Sequence, residues 1–261
     1  MKTRIISGLV MVPLLIFVYL GGYPLLAMCV LIGIIGVKEF YDGFRAMGIN
    51  PSLYIALASA FVLYVINGLA PGNFELICAW FAGSIMLSSL YMFKTTERTP
   101  LDAMATMIGI IYVIFFSFHV VLVDQNEVYS VLIWLVLLSA FCTDIFAYFS
   151  GYFFGKHKLC PNLSPKKTIE GAIGGTLGSV ICSGLFGYFV VPSIWWHCLI
   201  MGFIAAVFSQ FGDLTASAYK RKMGIKDYGN LIPGHGGIMD RFDSVLFTAP
   251  IIYYSIAIVL M

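Results

Sequence analysis

Long apolar runs recur along the chain, and the charges between them fall on alternate connections. A helix needs about 20 mainly apolar residues to cross the hydrocarbon core of a bilayer. Nine runs meet that requirement, over roughly 5–22, 24–41, 53–70, 74–93, 104–123, 129–154, 171–191, 194–219 and 242–260. The runs are continuously apolar rather than alternating with period two, so they predict helices and not the strands of a barrel. The composition agrees: 60% of the 261 residues are hydrophobic and 11% are charged, against about 25% charged in a soluble domain. A soluble, disordered or disulfide-framed chain is excluded, and the expected fold class is all-α, a polytopic integral membrane protein with about nine transmembrane helices.

The basic residues orient it. Lys2 and Arg4 precede the first run, Lys38 and Arg45 follow the second, and Lys94 and Arg98 follow the fourth. Lys156, Lys158, Lys166 and Lys167 follow the sixth, and Lys220, Arg221, Lys222, Lys226 and Arg241 follow the eighth. Those are all 15 Lys and Arg, and the intervening connections hold none. Cytoplasmic loops carry the excess of Lys and Arg, so the N-terminus is expected in the cytoplasm and the C-terminus outside. Met1 to Tyr23 shows a basic start and an apolar run without a clear small-residue cleavage site, which predicts an uncleaved first span. The six cysteines form no C-x-x-C pair, and five lie in apolar runs, where they read as small hydrophobes. Residues 1–103, about four spans, are poor in polar groups. Residues 104–261, about five spans, carry the cytoplasmic loops 155–170 and 220–241, where glycine and charge concentrate.

Three constellations stand out in that second part. Ser209, Asp213, Ser217 and Lys220 follow steps of four, four and three, a single polar stripe on the inner end of the eighth span. An unpaired Asp at membrane depth costs about 2.5–3.5 kcal/mol, so Asp213 needs a partner such as Lys220, or a wet cavity. Between Lys222 and Asp243 lie Gly224, Gly229, Gly234, Gly236 and Gly237, which allow successive backbone N–H groups to face an anion. Asp240 and Asp243, three apart, share one side of the ninth span's start. Two carboxylates beside a phosphate-binding loop suit Mg²⁺, and a helix-dipole role would also place acids there. Third, Ser164-Pro165 reads as an N-cap followed by the first helical position. Lys166 and Lys167 would then load a first turn that disfavours cations. An anionic ligand at that terminus or anionic lipid would each account for them. Asp144, inside the sixth span, is either functional or paired with a lysine. Glu39, with Lys38, Asp42 and Arg45, reads as an interfacial helix end, and His119 and His197 as packed residues.

The segment Ser217 to Asp243, S-A-Y-K-R-K-M-G-I-K-D-Y-G-N-L-I-P-G-H-G-G-I-M-D-R-F-D, closely resembles the phosphatidate cytidylyltransferase (CDP-diacylglycerol synthase) family. The family pattern is S-x-x-K-R, four residues, K-D, and an ending H-G-G-x-x-D-R-x-D. Tyr219 stands where the family usually has an aliphatic residue. The run S-P-K-K-T-x-E-G from Ser164 and the nine-span length are similar as well. The resemblance implies transfer of CMP from CTP to phosphatidate, giving CDP-diacylglycerol and pyrophosphate, in a bacterial cytoplasmic (inner) membrane. It implies a site open to the cytoplasm, a homodimer, membrane lipid as surroundings and no nucleic acid. Asp213, Asp240 and Asp243 would hold Mg²⁺, with room for a second cation. Asp213, Ser217, Lys220, Asp240 and Asp243 form the catalytic set. Lys166, Lys167, Thr168, Arg221, Lys226, His235, Gly236, Gly237 and Arg241 would bind the two substrates. Two other readings compete: a CTP-dependent enzyme with another lipid acceptor, and a cation-coupled transporter using Asp144 and Asp213. The transporter would show inverted repeats, and no clear repeat is visible.

Overall fold

The computed structural model describes residues 14–231 and 236–260. Lys2, Arg4, His235 and the first part of the expected span 5–22 lie outside the described residues. Helix α1 covers Leu14–Leu20, α2 Gly22–Arg45 and α3 Leu53–Leu69. Helices α4 (Phe74–Phe93), α5 (Pro100–Asp124), α6 (Ser130–Phe154), α7 (Ile169–Val190), α8 (Pro192–Met223) and α9 (Met239–Leu260) follow. Among the described residues seven of these, α2 and α4 to α9, are long and apolar enough to cross a membrane. The helices begin where polar residues interrupt the apolar runs. Ser52 caps α3 through Ile55 N, and Asn73 caps α4 through Leu76 N. Thr99 and Asp102 form a reciprocal capping box around Pro100 at the start of α5.

The segment 164–168 departs from expectation. It is not the first turn of a helix but a strand, β2 (Ser164–Thr168), paired antiparallel with β1 (Lys158–Cys160) so that Lys158 faces Thr168 and Cys160 faces Ser164. Pro165 is tolerated because both strands of a hairpin are edges. The cap moves to Thr168, whose Oγ1 accepts a hydrogen bond from Gly171 N at 3.1 Å. The lysines therefore lie off the helix, and the first turn of α7 carries Glu170 instead, the charge its dipole favours. Glu170 also accepts from Lys156 N (3.1 Å) and stands 2.6 Å from His157 Nδ1, which pins the hairpin to α7.

Helices α6, α7 and α8 pack over small residues. A Cβ on Gly175 would stand 2.7 Å from the Thr143 carbonyl oxygen, and one on Gly171 2.8 Å from that of Ala147. Lipid tails are as apolar as leucine, so close backbone contact rather than water exclusion holds membrane helices together. The opposite face of α7 presents Ile173, Leu177, Ile181 and Leu185, all exposed. Inside the bundle, Phe40 of α2 packs edge-on against Tyr112 of α5 and Tyr219 of α8, with ring centroids 5.5 and 5.1 Å apart. Tyr112 sits in a π-helical stretch, Ile110–Phe115, within α5.

Hydrogen bonds also tie connections together: Arg221 Nε donates to Leu163 O (3.3 Å), Asn50 N in the loop after α2 donates to Asp102 at the start of α5, and Gly22 N donates to Asp124 Oδ2 at 2.7 Å.

Candidate active site

Helix α8 carries the stripe inward. Ser209 is fully buried, and two turns on Ser217 Oγ donates to Asp213 Oδ1 at 3.3 Å. Asp213 does not pair with Lys220 on its own helix. Its Oδ2 lies 2.5 Å from Nζ of Lys167, on β2. The hairpin thus leans over α8 and borders an open cavity of about 510 Å³, lined among others by Asp144, Lys158, Lys166, Lys167, Gln210 and Asp213. Thr168, Gly171 and Tyr148 complete much of its wall. Gln210 Nε2 donates to Thr176 Oγ1 (2.9 Å), bracing α8 against α7 beside the cavity.

Asp243 enters from α9. It is buried, and its Oδ1 accepts the backbone N–H of Ser244 at 2.8 Å. Asp144, Asp213 and Asp243 lie within electrostatic reach of one another. Ser244 Oγ is 3.5 Å from Asp144 Oδ2. Three carboxylates so placed repel, and Lys167, Lys220 and Arg241 offset part of that charge.

Asp240 has different work. Its Oδ1 takes Nζ of Lys220 at 2.7 Å, and its Oδ2 takes the backbone N–H of Tyr228 (2.8 Å) and Gly237 (3.0 Å). Gly236 has φ +85°, and a Cβ there would stand 2.7 Å from Asp240 Oδ2, so the turn requires glycine. Burial, with Asp240 and Asp243 close by, holds the Tyr228 hydroxyl above the usual phenol range, so it remains a donor, to Ala216 O at 3.1 Å. The same segment is held from α2. Glu39 Oε1 accepts Ile238 N (3.1 Å) and its Oε2 accepts Met239 N (2.9 Å).

The expected residues therefore divide. Asp213, Lys166, Lys167 and Thr168 line the cavity, and Ser217 is bonded to Asp213. Asp243 lies within electrostatic reach of Asp144 and Asp213, and Lys220, Asp240, Gly236 and Gly237 gather in a separate clamp around the Asp240 carboxylate. Arg221 is turned to the hairpin, while Lys226 and Arg241 are exposed. Among the described residues no three carboxylate, imidazole or thiol groups converge as a ready-made metal cage. Mg²⁺ takes one or two carboxylates and completes its shell with water and substrate phosphate. Asp213 and Asp243, with Asp144 beside them, fit this donor set. Both oxygens of Asp240 are engaged by Lys220 and two amides, and both of Asp213 by Ser217 and Lys167, so either carboxylate would exchange a partner for the metal.

Sequence reasoning left Gln210 and Lys158 out of the candidate set, kept Asp144 open, and took Glu39 for an interfacial helix end. Gln210 stands three residues before Asp213, on the same helical face, and that spacing was available to find it. Lys158 reaches the cavity only through strand pairing.

Helices of membrane-spanning length, with a lysine hairpin set against carboxylates of the bundle, define a polytopic membrane protein with a charged site. The chain belongs to the cytidylyltransferase family, whose model matches residues 2–259. Curated relatives named phosphatidate cytidylyltransferase include that of Staphylococcus haemolyticus, 34% identical over 253 residues, covering 96% of this chain and 95% of the relative. Those of Bacillus subtilis (29% over 268 residues, 99% and 98%) and Synechocystis (29% over 288 residues, 98% and 97%) match along nearly their whole lengths too.

Proposed function

We propose that this chain transfers CMP from CTP to phosphatidate, releasing pyrophosphate and forming CDP-diacylglycerol. The observation that carries the reading is the Lys167–Asp213 contact, which joins a cationic hairpin to an acidic group on a helix of the bundle. Together with the family membership and the relatives' names, it supports a site for two polyanions, one dissolved in water and one in lipid.

A phosphate oxygen of phosphatidate attacks the α-phosphorus of CTP. A new P–O bond forms, and the bond from the α-phosphorus to the bridging oxygen of the β-phosphate breaks, so pyrophosphate leaves. The nucleophile is already ionised near neutral pH, and the chain need not supply a strong base. Lys158, Lys166 and Lys167 offset the charge of phosphates entering the cavity, and Thr168 and Ser217 offer hydroxyl donors. Lys220 contributes positive charge near Asp243, and Arg221, Lys226, Arg241 and His235 would serve as further cationic or donor groups for the substrates. Asp213 and Asp243, with Asp240 or Asp144 as neighbours, would hold Mg²⁺ and, with it, a second cation. Bound there, the metal would neutralise charge on the attacking and departing groups. The positive-inside rule puts the hairpin end in the cytoplasm, where CTP is found, in a bacterial inner membrane. We also propose a homodimer, checked by light scattering of the detergent-solubilised protein.

The test uses purified full-length protein, CTP labelled in the cytidine, and a panel of lipid acceptors. Chloroform-soluble label appears with phosphatidate and Mg²⁺ and is lost with a chelator. Label on another acceptor in preference to phosphatidate overturns the substrate assignment. Activity unaffected by chelation overturns the metal assignment.

A further inference from the structure

Glu39 lies in the first part of the chain, outside every motif that suggested a function. Only 8% of its surface is exposed, and a buried carboxylate must be hydrogen-bonded to be tolerated. Its two oxygens take the amides of Ile238 and Met239, and the second of these is 200 residues away in sequence. Those amides belong to the start of α9, whose N-cap position, Ile238, provides no side-chain cap. The first N–H groups of a helix need partners from elsewhere, and here α2 supplies them.

Two glycines make room for the carboxylate. A Cβ on Gly229 would stand 2.5 Å from Glu39 Oε1, and a Cβ on Gly237 would overlap Oε2. Asp240 takes the neighbouring amides of Tyr228 and Gly237. Two carboxylates from distant parts of the chain thus gather four backbone N–H groups of one segment. Phe40, the residue after Glu39, packs on Tyr219 and on Tyr228, so α2 cannot slide without moving the loop. Asp243 lies little more than one turn beyond Met239 on α9, and a tilt of that helix start displaces it from Asp213.

We propose that Glu39 is a positioning residue for the transfer reaction, holding Gly237 and the start of α9 so that Asp243 stays near Asp213 and the turn at Gly236 and Gly237 stays formed for the nucleotide. The inference rests on the functional reading for its kinetic consequence and on geometry alone for the tether.

The experiment compares wild type, Glu39→Ala, Glu39→Gln and Glu39→Asp as full-length purified protein. Kinetic constants are measured for CTP and phosphatidate, and amide hydrogen exchange is followed at Ile238 and Met239 without substrate. Displacements of about 1 Å away from the chemistry cost on the order of 100-fold in rate. Glu39→Ala should lower kcat to that degree and raise KM for CTP roughly tenfold, with KM for phosphatidate within about twofold. Glu39→Gln, which keeps one acceptor at full reach, should recover more than Glu39→Asp, which keeps the charge but falls short by a methylene. A loss that merely reflected fewer folded molecules would leave both KM values in place, and that result overturns the proposal. So do unchanged exchange rates in Glu39→Ala. If the alanine variant does not fold, Gly229→Ala pushes on the carboxylate without removing it and must give the same selective rise in KM for CTP. Wild type inactive with every lipid would overturn the functional reading, while amide exchange would still decide the tether.

Discussion

Nζ of Lys167 lies 2.5 Å from Oδ2 of Asp213, so a strand outside the bundle is tied to a helix within it. Both side chains are about one-quarter exposed, and partly exposed ion pairs contribute about 0–1 kcal/mol. Replacing Lys167 by Met should therefore leave thermal unfolding in detergent nearly unchanged. Cytidylyl transfer should fall by roughly tenfold or more, since a charged hydrogen bond to substrate is worth about 1.5–3 kcal/mol. The exchanged pair, Lys167→Asp with Asp213→Lys, rebuilds the bridge and should remain inactive. Recovery of activity in the exchanged protein would mean that the pair only supports the fold.

Asp240 and Asp243 are three residues apart and should respond in opposite ways to loss of charge. Asp240 is paired with Lys220 and two amides, and removing one member of a buried pair costs about 3–5 kcal/mol. Asp240→Asn should lower the unfolding temperature. Asp243 instead faces repulsion from Asp213 and Asp144. Asp243→Asn relieves that repulsion, and should hold or raise the unfolding temperature while abolishing transfer. Substantial activity in Asp243→Asn would remove it from the metal-binding set.

The helices were legible because hydropathy over 20 residues is a local property, and the caps Ser52, Asn73 and Thr99 sit beside the runs they start. The α8 stripe was legible for the same reason, since Asp213 and Ser217 are one turn apart. The partner of Asp213 was not. Lys220 on the same helix satisfied the local arithmetic, but the hairpin delivered Lys167 and the clamp took Lys220. Ser164-Pro165 carried a genuine cap signal, overridden when Lys158–Cys160 paired with it. Glu39 shows the limit most clearly: beside Lys38, Asp42 and Arg45 it reads as an interfacial helix end, and its destination, 200 residues on, was set by packing that no local pattern encodes.

The α6–α7 seam gives a prediction free of the chemistry. A Cβ on Gly175 would meet the Thr143 carbonyl at 2.7 Å and the Ala147 Cβ at 2.9 Å, and backbone cannot yield as a flexible side chain can. Gly175→Leu should separate the helices, lowering the unfolding temperature and the yield of monodisperse protein. Leu177→Ala, on the exposed face of the same helix, should leave both near wild type. Equal behaviour of the two variants on size-exclusion chromatography would contradict the packing described.

Thr168 joins the fold to the site at one side chain. Its Oγ1 accepts Gly171 N as the cap of α7, its backbone faces Lys158 across the hairpin, and it lines the cavity beside Lys167. Loss of such a cap costs about 1 kcal/mol, or a shift of roughly 2–4 °C in a chain of this size. Thr168→Ala should show that shift together with reduced transfer, because the cap fixes where β2 ends and hence where Lys167 points. Thr168→Val keeps the shape without the oxygen and should unfold as early as the alanine variant. Thr168→Ser keeps the oxygen and should retain both stability and most of the activity. If Thr168→Val matched wild type in unfolding temperature and turnover, the hydroxyl would have no part in either, and α7 would be held by packing alone.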